Sequence, residues 1–103
     1  MPFGVMGGHY QPMGHVQVML NMLTYGMDIQ EAIDFPRFLT EDGALAIERG
    51  LPAPTLDGLA ARGHMVKEAV PPFGGGQGIA INWEEGTLTG GSDPRKDGAA
   101  IGY

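Results

Sequence analysis

Apolar and small residues alternate through Pro2-Phe3-Gly4-Val5-Met6 and stop at a glycine pair. This pattern predicts a short strand ending in a tight turn at Gly7-Gly8. Across residues 11–25, Val16, Met19, Leu20 and Leu23 recur at i, i+3, i+4 and i+7, the spacing of one helical face. Val18 and Met22 widen that face, so the helix is expected to be buried between layers, with Gly26 as its left-handed stop. Asp28-Ile29-Gln30-Glu31 has the form of a capping box that opens a second helix. Pro36 holds Phe35 away from helical angles, so this helix should finish near Asp34.

Asp42-Gly43 predicts a turn into a strand over 44–48, and Leu56, Leu59 and Ala60 share one face of a third helix over 55–62, closed by Gly63. Residues 64–70 and 78–83 read as strands. Between them lies the glycine-rich segment Pro71-Pro72-Phe73-Gly74-Gly75-Gly76, expected to be a mobile loop. Glu84-Glu85-Gly86 signals a hairpin that returns through Thr87-Leu88-Thr89-Gly90 and pairs antiparallel. Helices come first and strands follow, which implies an α+β fold with helices on one face of a small, mostly antiparallel sheet. No repeat and no long linker interrupts the chain, so residues 1–103 are expected to form a single domain.

Composition narrows the function classes. Twelve acidic against six basic side chains give a formal charge of −6, which repels a phosphate backbone, so nucleic acid is not an expected partner. The absence of cysteine removes disulfides, thiolate catalysis and sulfur metal sites. His9, His15 and His64 lack the i, i+4 spacing of a helical metal pair, and no metal site is expected. Gly74-Gly75-Gly76 has neither a phosphate-loop nor a dinucleotide spacing, so no cofactor is expected. No apolar run is long enough to span a membrane. The location of the protein is left open, cytoplasmic or periplasmic, because sequence upstream would decide it.

The candidate chemistry centres on Gly7-Gly8 before the first helix. Glycine lets backbone N–H groups approach a ligand, and a helix N-terminus favours negative charge. A purely structural turn is the competing reading. Asp93-Pro94-Arg95 places a carboxylate beside a guanidinium and reads as a turn braced by an ion pair rather than as a site. Arg37 reads either as a clamp for a substrate carboxylate or as a packed helix-end arginine, the second being favoured.

Several segments follow one another in an order and spacing that match one family. They are Gly7-Gly8 before a helix bearing Gln17 and Asn21, Tyr25-Gly26-Met27, Glu31-Ala32, and Ala32-Ile33-Asp34-Phe35-Pro36-Arg37-Phe38. Gly63-His64, Phe73-Gly74-Gly75-Gly76-Gln77 and Gly91-Ser92-Asp93-Pro94-Arg95-Lys96-Asp97-Gly98-Ala99-Ala100-Ile101-Gly102-Tyr103 follow. Together these segments resemble the γ-glutamyltranspeptidase family, and the resemblance implies the C-terminal part of the small subunit of an N-terminal-nucleophile hydrolase, and part of that class's αββα sandwich. In the family a threonine exposed by self-cleavage attacks the γ-glutamyl amide, its own amine serving as base. Gly7 and Gly8 fall on the family's glycine pair, which implies an oxyanion hole.

The nucleophile and the anchors for the glutamyl group belong upstream of Met1 in this comparison, and Thr24, Thr40, Thr55, Thr87 and Thr89 are internal. The chain is therefore expected to be inactive alone and to need the remainder of a transpeptidase-like chain as its partner, with a γ-glutamyl substrate bound only in the complete enzyme. Val5 and Met6 stand where the best-known members carry Ser and Pro, which points to a divergent branch and leaves transfer, hydrolysis and acylase activity open. Two alternatives stand beside this reading. One is a non-catalytic binding or assembly domain derived from the family, and the other is a tautomerase using Pro2 as a terminal amine with Arg37 or Arg95 near it. Uncovered strand edges and the apolar first helix imply a homo-oligomer.

Overall fold

The computed structural model describes residues 1–103 and divides into two compact units. Unit 1 comprises residues 1–35 and 74–103, and unit 2 comprises residues 36–73.

Unit 1 is built on a three-stranded sheet of β1 (Phe3–Met6), β5 (Gly75–Asn82) and β6 (Thr87–Ser92), in the order β1-β5-β6. Both pairings are antiparallel, with Phe3 opposite Gly78 and Gly78 opposite Gly91. The hairpin between β5 and β6 forms at the predicted turn. Of the glycine-rich segment 71–76 expected to be a loop, residues 71–74 lie outside any strand or helix, but Gly75 and Gly76 begin β5, where they are buried and pair with Met6 and Val5. Their lack of side chains suits a strand covered on both faces: the Lys96 stem lies over Gly75, so an added Cβ would sit 2.5 Å from its Cγ.

Two helices cover the sheet face that carries Phe3, Gly78 and Gly91. The first, α1, runs Gln11–Leu23, and the second, α2, runs Ile29–Asp34. The capping box forms as the sequence implied: Asp28 Oδ1 accepts from the Glu31 N–H at 2.8 Å, and Glu31 Oε2 accepts from the Asp28 N–H at 3.0 Å. Ile29, Ala32 and Ile33 are buried, and Ile29 lies over the glycine strip, where a Cβ on Gly78 or Gly91 would meet its side chain at 2.8 and 3.1 Å. Gln30 ties α2 to β6 by acting as a short strand. Its Oε1 accepts from the Ser92 N–H and its Nε2 donates to the Ser92 carbonyl, at 3.0 and 2.9 Å.

The packed face of α1 differs from the predicted one. Gly14, Gln17 and Val18 are buried, whereas Val16, Leu20 and Leu23 are 51%, 48% and 74% exposed. The periodicity located the helix correctly, but a helix apolar over most of its girth leaves open which stripe meets the sheet. Gly14 decides it, because only a residue without a Cβ can approach Tyr10 and Val5, whose atoms would lie 2.6 and 2.9 Å from such a carbon.

Unit 2 carries a second three-stranded sheet, β2 (Phe38–Glu41), β3 (Ala44–Ile47) and β4 (Val66–Glu68), with β3 central and wholly buried. β2 and β3 pair antiparallel, and β3 and β4 pair parallel across α3 (Ala53–Ala61). β2 escapes the sequence reading because Phe38-Leu39-Thr40-Glu41 lacks a full apolar alternation. Leu56 and Leu59 of α3 are half-buried, and no residue of that helix is fully buried. No helix of the protein is long and apolar enough to cross a membrane.

Candidate active site

β1 ends at Met6, and the chain turns through Gly7 (φ +138°) and Gly8 (φ +59°) into a 3-10 turn, Gly8–Tyr10, that runs directly into α1. Both angles lie where side chains are disfavoured, so the glycine pair is required by the turn itself. The Tyr10 N–H donates to the Gly7 carbonyl at 3.1 Å, and the Gln11 N–H donates to the Gly8 carbonyl. These bonds consume carbonyls. The N–H groups of Gly7 and Gly8 are left as the unsatisfied donors that every helix start presents, and both residues are exposed.

A rigid base supports this turn. Tyr10 is 2% exposed beneath it, its ring against Gly14, and its hydroxyl donates to Oε1 of the buried Gln17 at 3.4 Å. On the strand side, the Val5 N–H donates to His15 Nε2 at 3.3 Å. The turn is thus held from beneath by Tyr10 and Gln17, and its strand is tied to α1 by His15. Of these contributors the sequence reading isolated only the glycines. The Tyr10–Gln17 spacing of seven residues, two turns of helix on one face, was the available signal.

Asp93-Pro94-Arg95 does not join the glycine pair as a charged site. Asp93 is fully buried, its Oδ2 accepts from the Gly76 N–H at 2.7 Å, and its Oδ1 accepts from the Arg95 N–H at 2.9 Å and from Arg95 Nη1 at 3.1 Å. The same guanidinium donates to the Ile33 carbonyl at 2.9 Å and to the Phe35 carbonyl at 3.1 Å, at the C-terminus of α2. A cation there satisfies orphan carbonyls and opposes the negative end of the helix dipole. The motif is a brace, as its spacing suggested.

Arg37 is likewise structural. It is 2% exposed, and its Nη1 donates to the Phe73 carbonyl at 2.8 Å. Glu48, also buried, accepts from the Arg37 N–H at 2.9 Å through Oε2 and from the Phe73 N–H at 2.7 Å through Oε1. These bonds clasp the two ends of unit 2, Pro36 and Phe73. Arg37 is buried against Phe73 and Arg95 is bound to the end of α2, so each of the two arginines considered for a Pro2 tautomerase is engaged elsewhere. The histidines form no metal cluster with each other or with carboxylates.

An α+β unit with helices laid on one face of an antiparallel sheet, and a glycine turn joining strand to helix, is the fold of part of an N-terminal-nucleophile hydrolase. The family described as gamma-glutamyltranspeptidase matches residues 1–103, and the chain belongs to that family. It is 38% identical to the acylase ACY 1 proenzyme of Pseudomonas sp. (strain SE83) over 86 residues, which are 84% of this chain and 15% of that protein. It is 37% identical to the glutathione hydrolase-like YwrD proenzyme of Bacillus subtilis (strain 168) over 109 residues, covering 97% of this chain and 21% of that one. Among solved structures, the cephalosporin acylase of Bacillus halodurans superposes with a TM-score of 0.87 at 39% identity, over 99% of this chain and 20% of that chain. The chain therefore spans about one fifth or less of the curated relatives it matches.

Proposed function

We propose that this chain is the C-terminal component of a γ-glutamyltranspeptidase-like enzyme and supplies the Gly7 and Gly8 amides as the oxyanion hole for acyl transfer from a γ-glutamyl or related amide. The observation that carries this reading is the pair of exposed, unconsumed N–H donors at Gly7 and Gly8, set on the buried Tyr10. Donors fixed before the reaction stabilise the developing oxyanion without reorganising during it. The attacking hydroxyl comes from the remainder of the longer chain, so the 103 residues alone turn over no substrate.

The test compares γ-glutamyl anilide turnover by the isolated chain with that of the longer protein, and then of its Gly8→Pro and Gly8→Ala variants. Proline removes the N–H and, with its φ fixed at about −65°, cannot keep the +59° of Gly8 either, so kcat should fall by at least about 10²- to 10³-fold. Alanine keeps the N–H and its Cβ meets nothing within 4 Å, so it costs only the backbone strain of a positive φ, about 1–2 kcal/mol. Turnover by the isolated chain, or an unchanged kcat in Gly8→Pro, refutes the reading.

A second reading, association, is favoured by the exposed stripe Val16, Leu20 and Leu23 on α1. In this form the chain is an assembly domain that covers the stripe with a second copy in a two-fold dimer. Light scattering at micromolar concentration should then give a mass above the monomer, reduced by Leu20→Glu. A monomer in both forms excludes it.

A further inference from the structure

His15 sits between the two elements that meet at the glycine turn, and both its ring nitrogens are engaged. Nδ1 lies 2.6 Å from the Gln11 carbonyl oxygen, one helical turn back, and Nε2 lies 3.3 Å from the Val5 amide nitrogen. A carbonyl oxygen only accepts and an amide N–H only donates. Nδ1 must therefore carry the proton and Nε2 must be bare, which selects one neutral tautomer. The Phe3 ring, with its centroid 5.4 Å away and tilted by 54°, holds the imidazole from the β1 side.

The bond lies on the outer edge of β1. Gly4 and Met6 pair with Gln77 and Gly75 of β5, so in the antiparallel alternation the Phe3 and Val5 backbone groups point the other way. His15 thus takes an edge N–H that would otherwise face solvent or another strand, and does so two residues before Gly7. An error in the angle of Val5 propagates directly into the Gly7 and Gly8 amides, because only Met6 intervenes.

We propose that His15 is a positioning residue for the Gly7–Gly8 amide pair, its bare Nε2 fastening β1 to α1 beside the turn that aims those donors. This rests on the oxyanion-hole reading above. It adds a residue that touches no substrate but sets where the N–H groups point.

The tautomer can be read in the wild-type protein without any substitution, from the long-range proton–nitrogen correlations of nitrogen-15-labelled histidine. A proton on Nδ1 and a bare, hydrogen-bonded Nε2 are expected at His15, and a proton on Nε2 overturns the proposal. Kinetics of the longer protein provide the second arm, with a γ-glutamyl anilide as probe. His15→Phe keeps a ring against Phe3 and removes the acceptor, and kcat should fall about tenfold while KM stays within about twofold. His15→Gln places an amide oxygen within reach of the Val5 N–H and should restore most of the loss.

Equal impairment of the Phe and Gln variants would make His15 a space-filling residue and overturn the proposal. So would an unchanged kcat in His15→Phe when Gly8→Pro is impaired, an outcome that leaves the oxyanion reading standing. An unchanged kcat in Gly8→Pro removes both.

Discussion

Removing the Arg95 side chain should unfold unit 1 more effectively than any comparable change at the surface. Arg95→Ala leaves the Asp93 carboxylate, fully buried, without the guanidinium 3.1 Å away, and deprives the Ile33 and Phe35 carbonyls of their donor. Breaking a buried pair by deleting one partner costs about 3–5 kcal/mol. Asp93 keeps two backbone donors, from Gly76 and from residue 95 itself, and the freed helix end is near enough to the surface for water to replace part of the loss. The lower end, about 3 kcal/mol, is therefore expected, a large part of the ~5–15 kcal/mol that holds a typical domain. For a domain of this size that corresponds to a Tm lower by roughly 12–24 °C.

Urea unfolding followed by circular dichroism at the helical band measures the effect in the wild type, Asp93→Ala, Arg95→Ala and the double variant. Because the two residues form one network, the double variant should lose less than the sum of the singles, by more than about 1 kcal/mol. A loss below about 1 kcal/mol in Arg95→Ala, or a cycle that closes additively, would show that the brace contributes little. Arg95→Lys retains the charge but not the fork and should fall between the wild type and alanine.

Three further outcomes follow from the same packing. Gly14→Ala pushes a methyl group into Tyr10 and Val5, at 2.6 and 2.9 Å; overpacking of about 1–3 kcal/mol should outweigh the ~1 kcal/mol gain in helix propensity and lower the melting temperature. Glu48→Gln replaces one acceptor oxygen by an NH2 group that faces the N–H of Arg37 or Phe73, which should destabilise unit 2 by about 1–3 kcal/mol in the same urea experiment. Ile29→Ala empties the space above the glycine strip at a residue 1% exposed, and a loss of about 2–5 kcal/mol is expected.

Local signals determined much of this protein. The Asp28–Glu31 capping box, the stop before Pro36, the hairpin at Glu84-Glu85-Gly86 and the braced turn at Asp93-Pro94-Arg95 each depend on residues within a few positions of one another, so the sequence displays both partners together. The glycine pair was legible for the same reason, since a positive φ must be met by the residue that adopts it. The resemblance of ordered segments to one family was likewise a property of the chain alone.

Tertiary structure decided what local signals leave degenerate. A broadly apolar α1 offers several stripes of similar hydrophobicity, and the sheet chose the one around Gly14, Gln17 and Val18 because only there does the helix lack a Cβ at the point of contact. Gly75 and Gly76 read as loop residues in isolation, yet neighbours on both sides make them strand. Arg37 and Glu48 are charged residues whose burial depends on Phe73, distant in sequence. His15 became significant only when folding brought the Val5 N–H to its ring. Propensity and periodicity act over a turn or two of chain, whereas burial and hydrogen-bond pairing are settled by whichever distant atoms fill the remaining space.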